Sequence, residues 1–207
     1  MAVAAPAAAD SGSLDAGGLT FRDFAVFDNG SSFNRVESTF GGNNANPTPA
    51  RLLGVDSGNG LAQVRFDVTR VEAAIPLGWQ ATEDWERGAA YSGDRRYRFL
   101  VWRVDFAFEG VSDAEHYAAT KIGTIAARRP GVQGQARKLR DGTFLIVYEN
   151  VPPNQGDTER RVVFDLVLPK PGDPKEGVLM TLGVPASLAD RGLKLMALLK
   201  SRLKVDW

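Results

Sequence analysis

Apolar and polar positions alternate most regularly in the second half of the chain. Thr143 to Val151, Arg161 to Leu168 and Val178 to Val184 are apolar runs of strand length, separated by Pro-, Gly- and Asp-rich connections, and predict an antiparallel meander. Upstream, Leu100, Trp102, Val104, Phe106 and Phe108 fall on one face of a segment that puts Arg103 and Asp105 on the other. This predicts a half-buried strand over Arg96 to Phe108. Arg87 to Tyr91 is read as its neighbour, turning at Ser92-Gly93-Asp94. A strand is expected from Leu61 to about Ile75, ended by Pro76-Leu77-Gly78-Trp79, because proline cannot donate to a ladder and Trp79 anchors the turn. Val132 to Leu139 is a polar edge strand, joined to the meander through an Asp141-Gly142 hairpin turn.

Two segments have helical spacing instead. Ser112-Asp113-Ala114-Glu115 is a capping-box pattern opening a helix to about Arg128, with Ala118, Ile122, Ile125 and Ala126 as its apolar stripe and Pro130-Gly131 beyond its end. Ser187 and Asp190 repeat the signal before a closing helix with Leu188, Leu195, Leu199 and Leu203 on one side and a basic last turn. Strands and helices in this order predict an α+β fold: a central antiparallel sheet flanked by helices, with an irregular N-terminal extension.

The extension divides in two. Residues 1–18 are almost all Ala, Ser, Gly, Asp and Pro with no apolar periodicity, and are expected to be a flexible tail. Ala4 to Ala9 also resembles the small-residue region around an export cleavage site. Residues 19–60 are expected to form an irregular arm punctuated by turns at Asp28-Asn29-Gly30-Ser31 and at Asp56 to Gly60, with the α+β domain spanning 61–207. Phe21, Phe24, Phe27, Phe33 and Phe40 are too many aromatics for a solvated linker. They are candidate partner-binding residues.

Composition narrows the function classes. At 207 residues the chain buries roughly 70% of its unfolded surface, so it needs no disulfide or metal for stability. The absence of cysteine removes thiolate ligands and a cysteine nucleophile. With 25 basic and 25 acidic residues there is no global field for nucleic acid, and none is expected as a partner. The longest apolar runs fall far short of the roughly 20 residues of a membrane span, so no direct insertion is expected.

Candidate chemistry is sparse. His116 is the one histidine, placed in the first turn of a predicted helix where the dipole disfavours its charged form, without a serine nucleophile motif. The Asp28 and Asp56 turns offer oxygen ligands but lack calcium-loop spacing, and turn chemistry explains them equally well; metal binding is left undecided. Glu83, Asp84 and Glu86 beside Trp85 read either as a site for a basic partner or as a solvated run. Arg95, Arg96 and Arg98 are candidate partner-binding residues. Arg128-Arg129 and Arg137-Lys138 with Arg140 join them if the edge strand and the first helix's end lie together, the alternative being charges that block edge pairing. No catalytic residue, cofactor or small-molecule substrate is expected. A hydrolase or isomerase using paired carboxylates is the enzymatic alternative.

Ala74-Ile75-Pro76-Leu77-Gly78-Trp79, the hairpin strand Asp141 to Glu149 and the terminal helix Leu198 to Val205 occur in an order that resembles the PsbP-like family of extrinsic oxygen-evolving-complex proteins. The resemblance covers Leu61 to the C-terminus; Leu19 to Pro49 has no counterpart in it. It implies a non-enzymatic extrinsic subunit, or an assembly or stabilising factor, of a photosynthetic membrane complex in the thylakoid lumen, with photosystem subunits as partners. The alternative is a bacterial periplasmic or adaptor domain that binds an apolar protein segment.

Overall fold

The computed structural model describes residues 12–26, 48–154 and 157–207. It contains twelve strands: β1 (Thr48–Pro49), β2 (Arg51–Asp56), β3 (Leu61–Phe66), β4 (Val71–Pro76), β5 (Gln80–Glu83), β6 (Arg87–Tyr91), β7 (Arg98–Asp105), β8 (Gln133–Lys138), β9 (Phe144–Val151), β10 (Arg161–Lys170), β11 (Asp173–Pro185) and β12 (Lys204–Val205). The helices are α1 (Ala114–Arg128) and α2 (Ala189–Ser201). The fold class is the expected one, α+β around a large antiparallel sheet.

That sheet runs β1-β5-β6-β7-β11-β10-β9-β8, and a smaller one runs β12-β4-β3-β2. The meander β9-β10-β11 forms as read, and β8 joins it through a hairpin turn at Gly142, whose positive φ of 85° suits glycine, while Thr143 N–H donates to the Asp141 carboxylate at 3.1 Å. Side-chain alternation gives the sheet two faces. Phe144, Ile146, Val167 and Leu179 lie under α1 with Tyr117 and Ala118. Leu145, Phe164, Leu166, Met180 and Leu182 face the other way, against Leu195, Met196 and Leu199 of α2 and against the small sheet. The two sheets are in close contact at Gly88, where a Cβ would fall 2.3 Å from the Phe66 ring. Only a residue without a side chain admits that approach.

Four sequence expectations give way. The strand over Leu61 to Ile75 is two strands, β3 and β4, because the chain reverses at Asp67 to Arg70, with Arg70 at φ 55°. The cap of α1 is Asp113, which accepts from His116 N–H at 2.9 Å, and not Ser112, whose hydroxyl donates to Asp113. The closing helix is led in by a single 3-10 turn and has no side-chain cap at its start. Finally, the expected boundary at residue 61 is not one: β1 pairs with β5 and β2 with β3, so the stretch from Thr48 belongs to the sheets.

The N-terminal stretch is also part of the folded body. Leu14 and Leu19 pack on the main core, and residues 21–24 form a 3-10 turn with Phe21 and Phe24 buried. Residues 1–11 lie outside the described residues.

Candidate functional site

Strand direction brings sequence-distant turns to one end of the molecule. Pairing of Arg87 with Trp102, and of Asp105 with Glu176, puts the β5–β6 turn, the end of β7 and the β10–β11 hairpin together. The β3–β4 turn joins them, since Val68 N–H donates to the Glu83 carboxylate at 3.0 Å. The C-terminal residues follow through β12, with Asp206 N–H donating to the Arg70 carbonyl at 3.0 Å.

Three of these turns project a large apolar side chain, and Trp207 lies beside them. Asp84 accepts from the N–H groups of Glu86 and Arg87 at 2.8 and 2.9 Å, closing the turn that carries Trp85. Asp105 does the same for Phe108, accepting its N–H at 3.0 Å. Such carboxylate-to-backbone bonds fix a turn without help from the core. The outcome is a set of exposed large apolar groups: Phe108 at 89%, Trp85 at 72%, Val68 at 48% and Trp207 at 40%. Phe108 was expected to continue the buried face of its strand; the chain turns at Asp105, and its ring lies outside instead.

Arg103 braces this end. Its Nε donates to the Thr69 carbonyl at 2.9 Å, its Nη2 to the Asp206 carbonyl, and its guanidinium lies 5.2 Å from the Trp207 ring centroid. Burial pulls its pKa down from the ordinary arginine value. Arg65 ties the turn from the other side by reaching Asp67 at 2.9 Å, Glu72 at 3.3 Å and Asp206 at 2.7 Å. Between these groups lies a shallow hollow of about 520 Å³, lined by Val68, Arg70, Arg103, Lys170 and Trp207 among others. Glu83 beneath it is 7% exposed, and desolvation raises its pKa against the opposing effect of the Val68 hydrogen bond.

The residues proposed from sequence lie elsewhere. Phe21 and Phe24 are 5% and 7% exposed; Phe24 packs edge-on against Tyr97 at 5.7 Å and under the Arg191 guanidinium at 4.7 Å. Their rings are taken up by the chain's own core, which removes them from a partner surface. Phe27, Phe33 and Phe40 fall outside the described residues. Arg95 stacks on Tyr91 at 4.1 Å, and Arg96 and Arg95 line a small hollow with Asp94 and Glu159. Arg98 is half-buried at the start of β7. All three arginines are at the end opposite Trp85. Arg128 and Arg129 join Arg98 there, whereas Lys138 pairs with Phe144 at the far end of β8, so the expected patch along the edge strand does not assemble. The local signal for the aromatic end was a large apolar residue inside a carboxylate-rich turn, as in Asp84-Trp85-Glu86.

His116 and Asp165 are tied up locally, whereas the Tyr148 hydroxyl is buried without a hydrogen-bond partner. His116 Nδ1 faces the Ser112 N–H at 3.5 Å. Asp165, 2% exposed, pairs with Lys121 at 2.8 Å and accepts from the Thr181 hydroxyl. Tyr117 and Tyr148 beside them are pushed up by burial, well above the ordinary phenol value. Among the described residues, no three histidine or carboxylate side chains converge as a metal site, and no helix is long and apolar enough to cross a membrane.

No protein-family model matches the chain, and no curated protein matches its sequence. Solved structures do. The Ran-binding protein Mog1p of Saccharomyces cerevisiae superposes with a TM-score of 0.50 at 11% identity, over 70% of this chain and 95% of Mog1p. Cyanobacterial PsbP (CyanoP) of Synechocystis sp. PCC 6803 gives 0.46 at 15% identity, over 74% and 99%. The likeness to Mog1p is one of fold.

Proposed function

We propose that this chain is a non-enzymatic, protein-binding subunit that docks through its aromatic end. The observation that carries this reading is the exposure of Val68, Trp85 and Phe108 on three turns, and of Trp207 beside them, at one end of the sheet, with hydrogen bonds fixing the three turns. Aromatic side chains that lose little freedom on binding are the usual energetic anchors of protein interfaces. Glu86, Asp105 and Glu109 flank Trp85 and Phe108, while Arg70, Arg103 and Lys170 line the hollow beside Trp207, so the complementary surface is apolar at its centre and carries charges of both signs at its rim. Mog1p, which has this fold, is a Ran-binding protein, in keeping with a protein-binding role for the architecture.

The resemblance to the PsbP-like family at Pro76 to Trp79, Asp141 to Glu149 and Leu198 to Val205 supports a more specific assignment. The partner is then a photosystem, and the chain is its extrinsic or assembly subunit on the lumenal side of the thylakoid membrane. Retention on isolated photosystem particles tests this. The triple variant W85S/F108S/W207S is expected to lose retention while unfolding at the same temperature as the parent. Undiminished retention of that variant removes the aromatic end from the interface. Failure of the parent chain to bind the particles, with capture by a periplasmic protein instead, transfers the reading to a bacterial adaptor domain.

A further inference from the structure

We infer that the opposite end of the molecule holds a separate binding site, for a compact organic ligand bearing two or more oxyanion groups, in the cavity lined by Arg98, Arg128, Arg129 and Arg161. The cavity has a volume of about 610 Å³ and lies on the face of the large sheet beside the end of α1. That is within the range of roughly 300–1,000 Å³ of sites for small ligands. The β7, β10 and β11 strands supply Arg98, Arg161 and Gly183; the residues after α1 and β9 supply Arg129 and Pro152. No carboxylate stands among the described residues that line it.

Arg161 shows that the site is built. The residue is only 4% exposed, and its Nη2 donates to the carbonyls of Arg96 at 3.0 Å and Gly183 at 2.9 Å, which fixes the guanidinium plane. Its Nη1 faces the Asp157 carboxylate at 3.6 Å, beyond hydrogen-bonding distance. Arg161 is thus held by two carbonyls and a long ion pair to Asp157, which leaves its Nη1 within reach of a second acceptor. A planar fork of this kind suits carboxylate and phosphate oxygens, which it binds bidentately. Arg98 brings a second partly buried guanidinium to the cavity: burial first, then the neighbouring Arg87 and Arg161 charges, depress its pKa. Leu100, Val163 and Val151 give the cavity an apolar floor, so the ligand carries carbon skeleton as well as charge.

This site is independent of the aromatic end, and so is its test. Calorimetric titration of the full chain with citrate and, separately, with pyrophosphate distinguishes carboxylate from phosphate recognition. Binding of one anion per chain by either probe is expected, weakening as sodium chloride is raised. The exposed pair R128E/R129E is expected to lose at least tenfold in affinity without a change in unfolding temperature. Absence of binding by both probes at millimolar concentration overturns the inference. So does an affinity unchanged in R128E/R129E, which places the anion elsewhere, or binding of a polyglutamate peptide alone, which makes the occupant a protein.

Discussion

The indole Nε1 of Trp79 donates to the backbone carbonyl of Phe24 at 3.0 Å, across 55 residues of chain, inside the core. This bond joins the N-terminal stretch to the sheet. Trp79 is fully buried and its ring lies 5.8 Å from that of Tyr97, which in turn packs on Phe24. Replacing Trp79 by Phe keeps most of the apolar volume but leaves the Phe24 carbonyl without its donor. The expected loss is about 1–3 kcal/mol in urea unfolding. Proteolysis of the native variant near residues 21–26 should be faster than in the parent, because one of the bonds that hold the turn to the sheet is gone.

The pair Lys121 and Asp165 fastens α1 to the sheet. Few side chains in the C-terminal half of α1 are buried, so this ion pair, with Lys121 Nζ 5.4 Å from the Trp102 ring centroid, carries much of its attachment. Lys121→Met strands a carboxylate that is 2% exposed, and a loss of about 3–5 kcal/mol is expected. The double variant Lys121→Met/Asp165→Leu should recover most of it, since no unpaired charge remains. A double-mutant cycle by chemical denaturation measures both numbers. Additive losses would show that the pair does not act as a unit.

Elements held by local chemistry were legible in the sequence, and those decided by distant contacts were not. The Asp141-Gly142 hairpin and the meander follow from turn residues and alternation, and both are present. The reversal at Asp67 to Arg70 contains no glycine, proline or asparagine; it forms because Val71, Ala73 and Ile75 are completely buried when β4 folds back on β3. Phe21 and Phe24 read as candidate partner-binding residues because they are too apolar for a solvated linker, but spacing cannot say whose core receives them. Arg98, Arg128, Arg129 and Arg161 meet because β7, β9 and β10 have one end in common with the C-terminus of α1. That register is invisible until the strands are ordered.

Gly88 sets the distance between the two sheets. A methyl group there would meet three atoms of the Phe66 ring at 2.3 to 2.8 Å, and Phe66 is wholly enclosed. The ring cannot swing clear, so the strands themselves must separate. Gly88→Ala is expected to destabilise by about 1–3 kcal/mol, the usual range for overpacking. Adding Phe66→Leu should relieve part of that loss, as read by thermal unfolding of the single and double variants.

Glu83 makes a contribution to stability whose sign with pH can be worked out. Desolvation is the largest influence on its carboxyl and raises its pKa above the ordinary value of 4.5, with the neighbouring Asp67 charge acting in the same direction. The Val68 N–H and the more distant Arg51 oppose the shift. A carboxyl whose pKa is raised on folding holds its proton more tightly in the native state than in the unfolded one. Below pH 4.5 both states are protonated and nothing is lost; as pH rises past 4.5 the unfolded state releases its proton first, and the native state is progressively disfavoured. Glutamine keeps an oxygen for the Val68 N–H and has no charge to desolvate. Glu83→Gln should therefore unfold at a higher temperature than the parent at pH 7, and the gap should close as pH is lowered towards 4. A gap that widens on acidification would mean that the ionised carboxylate is stabilised in the fold, with the Val68 hydrogen bond outweighing burial.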